Sequence, residues 1–432
     1  MRDHDEPDGV TVSRADESSA PASARRWSGV RWLLIGNVAS AAAQLGLVAA
    51  LTHRLAEGSV GDFVLALSVW APAVMAANLG LRPVLASDAG DDHAFARYLR
   101  LRATCLGLAF VLIAVGSLLL LQGDALAVML LVGAAKVGES LSDVCFGMQQ
   151  KHAAERTAGL SLFVRSVLGL GLALVLLETV GGLVAACAAL AAANLGVALS
   201  WDIPRANALA RPSRSAGEGS VWRLVAIGAP LGATAVLISL SVNVPRYFVE
   251  GFTGRAALGV FGVLTYGVAA GALVMNALCN ATARDLGSAW VARDRGRFAA
   301  VFRTFLGTTL VWAVAAIVGA IALGEPVLRF VFGDAYGDAS DVFVWLMVAG
   351  GVTYVAHALQ YTLTAVRSTA WQLVAVLVDL VVTTTMCWAL VPAHGLMGAA
   401  YALIAGGAAR VLLFAVAVRG SFGVLAGEGH DA

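Results

Sequence analysis

Hydrophobic residues fall in long unbroken runs separated by short polar breaks, not in the stripes of a protein with one wet face. A bilayer core of about 30 Å needs about 20 helical residues. Twelve runs reach or approach that length: 32–52, 63–85, 103–121, 125–148, 158–177, 180–200, 224–248, 257–282, 305–323, 342–363, 371–390 and 395–417. The pattern predicts an all-α membrane protein of about twelve transmembrane helices. Two breaks are very short, Gln122–Asp124 and Glu178–Thr179. The run Val180–Ser200 is so rich in small residues that its helix must pack closely on its neighbours.

The longest polar break, 201–223, carries Pro204, Pro212 and several Ser and Gly residues, and reads as a flexible cytoplasmic linker. It divides the chain into two six-helix bundles, 32–200 and 224–417. The halves echo each other: Val60-Gly61-Asp62-Phe63 opens the second run and Leu258-Gly259-Val260-Phe261 the eighth. Such repeats are common in secondary transporters. Residues 1–31 are polar and of mixed charge, without an apolar stretch or cleavage site, and read as a disordered cytoplasmic tail rather than a signal peptide. Residues 418–432 form a second cytoplasmic tail.

Composition agrees with membrane embedding. The chain is 59% hydrophobic and only 13% charged, where soluble domains carry about 25% charge. Arg and Lys then orient it. With the N-terminus inside, the cytoplasmic segments hold twenty basic residues and the external loops four: Arg54, Arg246, Arg255 and Arg329. Both termini are expected in the cytoplasm, with the protein in the plasma membrane. A net charge of +1 points to no nucleic-acid partner. The five cysteines lie apart within apolar runs, without metal-ligand spacing, so neither a metal nor another cofactor is indicated.

Ionisable residues at membrane depth are costly and mark cavities or pairs. Lys136, Glu139 and Asp143 share one face of the fourth run. At 1.5 Å per residue, Glu139 lies ~13 Å, Asp143 ~8 Å and Arg165 of the fifth run ~10 Å from the cytoplasmic end. Arg165 is therefore expected to bridge to Glu139 or Asp143. The group reads either as a closed ion-pair network or as the polar wall of a chamber. In the chamber reading Lys136 and Arg165 meet an anion, and Glu139 or Asp143 reads an ion gradient. Asp379 and Arg410 lie at matched depths, ~12 and ~10 Å, and are expected to form a structural ion pair. Asn37, Ser40 and Gln44 make a polar stripe on the first run, Asn276 and Asn280 one on the eighth, and Tyr354, His357 and Tyr361 one on the tenth. Each could face a cavity or hydrogen-bond between helices. Arg246 follows Asn243-Val244-Pro245 near the expected external interface.

No nucleotide-binding, nucleophile-elbow or zinc-protease motif occurs. The loops are short for an enzyme of glycan transfer. The cluster Asp88, Asp91 and Asp92, beside Arg97, Arg100 and Arg102, reads as a self-neutralising solvated loop. The chain is not expected to be an enzyme.

Several motifs in sequence order resemble one family. They are Gly36-Asn37, Val60-Gly61-Asp62-Phe63, Leu79-Gly80-Leu81-Arg82, Ser87-Asp88 and Tyr98-Leu99-Arg100-Leu101-Arg102, then Asn243-Pro245-Arg246, Phe332-Gly333 with Tyr336, Val391-Pro392 and Gly395-Leu396-Met397-Gly398-Ala399-Ala400. Over 32–417 the chain resembles the polysaccharide-export branch of the multidrug/oligosaccharidyl-lipid/polysaccharide (MOP) exporter superfamily, the Wzx-type flippases. The resemblance implies two bundles around a central cavity that opens alternately to each side. It implies an undecaprenyl-pyrophosphate-linked oligosaccharide as cargo, moved outward for surface polysaccharide biosynthesis. Lys136, Arg165, Asn37, Gln44 and Arg246 would then be cavity residues. Membrane lipids, and a glycan polymerase and glycosyltransferases of the same pathway, would be its partners. Ion-coupled drug or metabolite efflux on the same fold, lipid II export, and an enzyme of glycan assembly are the alternatives.

Overall fold

The structure, a computed structural model, describes residues 22–88, 93–210, 221–366, 368 and 370–427. The described residues are helical throughout apart from short turns. The helices are α1 (Ala22–Arg54), α2 (Glu57–Asn78), α3 (Leu81–Ser87), α4 (Phe95–Leu120), α5 (Gly123–Lys151), α6 (Glu155–Thr179) and α7 (Gly182–Val197). A π turn (Ala198–Asp202) joins α7 to α8 (Ile203–Leu209). Then follow α9 (Val221–Thr253), α10 (Arg255–Val291), α11 (Arg295–Phe332), α12 (Asp334–Gly337), α13 (Ser340–Ala365) and α14 (Ala370–Gly427). Helix is what the solvent demands: in lipid, each backbone donor and acceptor must find its partner within the segment.

Eleven helices are long and apolar enough to cross a membrane. The last of them accounts for two of the twelve predicted crossings. α14 has 58 residues, ~87 Å of helix against a ~30 Å core. Its backbone breaks at Gly395, where φ is +55°, a conformation that glycine adopts without side-chain strain. The expected loop between the eleventh and twelfth runs is thus a kink. Both doubtful breaks are real: α4 ends at Leu120 before α5 begins at Gly123, and α6 ends at Thr179 before α7 begins at Gly182. The chain is a multi-pass membrane protein.

α1 packs chiefly on α6, and α5 on α7 and α2. In the second half α9 packs on α14, and α13 on α10, α11 and α14. α2 carries most of the contact between the halves, lying against α9 and α10. Two expectations about segment ends change. α1 begins at Ala22, ten residues before the first predicted run. The linker is not flexible from Trp201, because the π turn and α8 continue α7 as far as Leu209. Residues 1–21, 211–220 and 428–432 lie outside the described residues, as do Asp91 and Asp92 of the predicted acidic loop.

Candidate functional site

A cavity of ≈480 Å³ lies where α1, α2, α5, α6 and α7 meet α9 and α10. Its polar wall includes Gln44, Asn78, Lys136, Glu139, Asp143, Arg165, Asn194, Asn243, Arg246 and Tyr266. Apolar side chains such as Leu47, Phe63 and Leu67 line the rest. The face of α5 predicted from the spacing of its charges does face this space. Lys136 Nζ lies 2.6 Å from Glu139 Oε2. Arg165 is 7% exposed, and its Nη2 lies 4.0 Å from Glu139 Oε1. Its Nη1 has no hydrogen-bond partner.

Asp143 does not pair with Arg165. Arg82 Nη1 donates to Asp143 Oδ1 at 2.9 Å, and Arg102 Nη2 to Oδ2 at 3.4 Å. Arg102 also donates to Ser140 Oγ, whose hydroxyl donates in turn to Asn78 Oδ1. Arg102 was expected among the solvated charges of the cytoplasmic loop, and Arg82 at the cytoplasmic end of the second run. Arg102 is instead fully buried, because α4 starts at Phe95, eight residues before the apolar run does. Arg82 is turned inward by the left-handed pair Leu79 and Gly80, which starts α3 in a new direction. The signal available in sequence was a basic segment, Arg97, Arg100 and Arg102, running without a helix breaker into an apolar run.

The first-run stripe divides. Ser40 and Gln44 line the cavity, but Asn37 does not. It lies ~10 Å further along α1 than Gln44. There it is exposed, and its amide donates to the Leu33 carbonyl of its own helix. Asn276 and Asn280 are exposed, and Tyr354 is buried with its hydroxyl donating to the Val268 carbonyl. Arg246, expected near the external interface, reaches the cavity. Nη1 donates to Asn243 Oδ1 and Nη2 to Thr265 Oγ1, both at 2.9 Å. Among the described residues no carboxylate pairs with it, and Nε has no partner. Tyr266 lies near both Arg246 and Lys136.

The cavity ends at a crossing of α2 and α10. A β-carbon at Gly61 would overlap the Arg255 carbonyl, one at Gly259 the Glu57 carbonyl, and one at Gly262 the Val64 side chain. Only glycine lets the backbones approach this closely. Arg255 pairs with Asp62 of the first half and, at 2.8 Å, with Glu250 of its own half. Tyr247 adds a hydrogen bond to the Ser68 carbonyl. The two echoed motifs of the sequence thus face each other across the interface between the halves.

Away from the cavity, Arg410 Nη1 lies 3.2 Å from Asp379 Oδ2, both side chains being 8% exposed. Thr383 donates to Asp379 as well. Removing one partner of such a pair costs about 3–5 kcal/mol. Asp379→Arg and Arg410→Asp should each lower the amount of folded protein in the membrane, and the double swap should restore most of it. A swap that folds no better than the single variants would show that charge pairing is not what these residues supply.

No family model matches the chain. It is 20% identical over 318 residues to the capsular polysaccharide biosynthesis protein CapF of Staphylococcus aureus, covering 73% of this chain and 79% of that one. Among solved structures, an inward-facing multidrug resistance MATE family transporter of the MOP superfamily superimposes with a TM-score of 0.72 at 14% identity, covering 95% of this chain and 100% of that one. An outward-facing structure of such a transporter superimposes with a TM-score of 0.63 at 15% identity, covering 93% and 96%. The lipid II flippase MurJ in its inward closed conformation gives 0.72 at 13% identity, covering 91% and 89%. The chain has the fold of the transporters and flippases of the MOP exporter superfamily.

Proposed function

We propose that the protein moves a lipid-linked oligosaccharide, with its anionic pyrophosphate head group in the central cavity, from the cytoplasmic to the outer leaflet of the plasma membrane. The observation that carries this reading is the charge of the cavity. Both of its carboxylates already hold cations: Glu139 holds Lys136, and Asp143 holds Arg82 and Arg102. Arg246 has only neutral partners, and Arg165 keeps an unpartnered Nη1. Two guanidinium groups with donors to spare suit a phosphate oxygen, which accepts their fork of N–H bonds. The apolar tail need not enter, since flipping requires only that the head group exchange its hydration for polar walls. No bond is made or broken, so catalytic residues are not needed.

The orientation rests on the excess of basic residues in one set of loops. It puts the α2–α10 crossing outside and the Asp143 and Asn78 end of the cavity toward the cytoplasm. The better superposition on an inward-facing transporter supports the same view. The sequence likeness to a capsular polysaccharide biosynthesis protein favours a sugar-bearing cargo.

Ion-coupled efflux of a drug or metabolite is the second reading, favoured by the likeness to multidrug transporters. Deleting the gene separates the two: loss of surface glycan with unchanged drug susceptibility supports the first, and the reverse pattern overturns it. Arg165→Glu puts a third carboxylate in the cavity wall and should remove most surface polysaccharide. Normal polysaccharide in that variant would exclude Arg165 from the head-group site.

A further inference from the structure

We infer that Asp202 is a proton-binding site whose occupancy controls anion binding in the cavity, with Arg165 as the partner the two sites share. The coupling rests on the anionic-cargo reading above; the proton site does not.

Asp202 ends the π turn between α7 and α8, and it is fully buried. π turns insert a residue into a helix and redirect the side chains around it, often at functional sites. The pocket around Asp202 is built by three neighbouring elements. From α6, Ser161 Oγ donates to Asp202 Oδ2 at 2.9 Å, and the charge of Arg165 acts on it from a greater distance. From α5 come Ser142, Cys145 and, further off, Asp143. From α8 comes Arg205, which is engaged elsewhere: its guanidinium stacks 3.5 Å from the centre of the Trp201 ring. Among the described residues no cation pairs with Asp202; Ser142 lies close enough to polarise the carboxylate, but its hydroxyl and Asp202 Oδ1 do not close a full hydrogen bond.

The contrast with the cavity carboxylates decides which acid takes the proton. Glu139 and Asp143 each hold a cation within 3.0 Å. Protonating either would strand that cation. Ionised Asp202 would be a buried charge without a counter-ion, which is expensive. A proton removes the charge.

Arg165 connects this site to the cavity. It lines the cavity, sits 4.0 Å from Glu139, and has a free Nη1. With Asp202 neutral, Arg165 stays at the wall and serves the anion. With Asp202 ionised, a bare carboxylate competes for the same guanidinium and draws it away. Proton and anion therefore bind together, and each strengthens the other by the same factor.

Two measurements on the purified full-length protein test this. Infrared spectroscopy at neutral pH should show a protonated carboxyl band that is lost in Asp202→Asn and kept in Glu139→Gln. Asn retains an acceptor for Ser161, so the fold should survive. Titration with farnesyl pyrophosphate should then show wild-type affinity falling by up to about tenfold per pH unit above the Asp202 midpoint, as one linked proton requires. Asp202→Asn should keep the high affinity throughout, and comparing the two proteins cancels titration of the ligand itself. Arg165→Gln should keep the infrared band and lose the pH slope. A band that persists in Asp202→Asn overturns the proton site, and an unchanged slope in that variant overturns the coupling. Wild-type protein that binds no farnesyl pyrophosphate at any pH overturns the cargo reading and with it the coupling, while the infrared band still decides the proton site.

Discussion

Gly61→Leu is expected to stop transport and to leave the protein open on the side of the α1–α2 turn. The Gly61 Cα faces the Arg255 carbonyl so closely that even a single β-carbon would overlap it. Backbone cannot swing aside as a side chain can, so α2 and α10 must part. Overpacking of this kind costs about 3 kcal/mol. In the proposed alternating-access cycle this contact belongs to the closed state, so the cost falls on that state and shifts its ratio to the open state by roughly a hundredfold. Parting the helices also separates Asp62 from Arg255, which removes a second contact of the closed state. The check is labelling of a cysteine placed at Phe63, on the cavity wall next to the crossing, by a thiol reagent that cannot cross the membrane. Labelling from outside should rise steeply in Gly61→Leu and stay low in Gly58→Ala, where an added β-carbon meets nothing within 4 Å. Equal labelling in both variants would show that the crossing does not close this end.

The second large effect is expected at Arg246. Arg246→Gln should weaken binding of farnesyl pyrophosphate by roughly a hundredfold, because two charge-assisted hydrogen bonds of about 1.5 kcal/mol each are lost. Arg246 has no carboxylate partner among the described residues, so removing it strands no opposite charge. Thermal stability should therefore change far less than affinity. Arg246→Lys should recover only part of the binding, since an ammonium lacks the planar fork. Affinity unchanged in Arg246→Gln would remove this residue from the head-group site. A parallel collapse of stability and affinity would assign it to packing between α9 and α10 instead.

The behaviour of Arg102 shows how the sequence concealed part of the site. A sliding view of hydropathy starts a membrane segment where the charges stop. α4 starts eight residues earlier, so a residue counted as loop sits about two turns inside a helix. Asp202 was hidden for the same reason, at the other end of a run: it was placed in a linker, whereas the helix continues through a π turn and buries it. Asn37 errs the other way. Its angular position matches that of Gln44, but its height along α1 does not, and periodicity reports angle only. The face of Lys136, Glu139 and Asp143 was legible because one helix carries all three, so their spacing alone puts them together.

The sequence by itself determined that the chain crosses a membrane about twelve times, which of its faces carry charge at depth, and that two motifs 198 residues apart echo each other. Those are properties of single helices and of their order, set by local hydropathy and helical pitch. Tertiary structure alone decided the partners. It gave Asp143 to Arg82 and Arg102 rather than to Arg165, brought Arg246 into the cavity, and buried Asp202 without a cation. It also turned the echoed motifs into the two sides of one contact, Gly61 against Arg255 and Gly259 against Glu57. Which charge meets which depends on how helices tilt and approach. That is governed by small residues at contacts far apart in sequence, which no periodicity within one segment records.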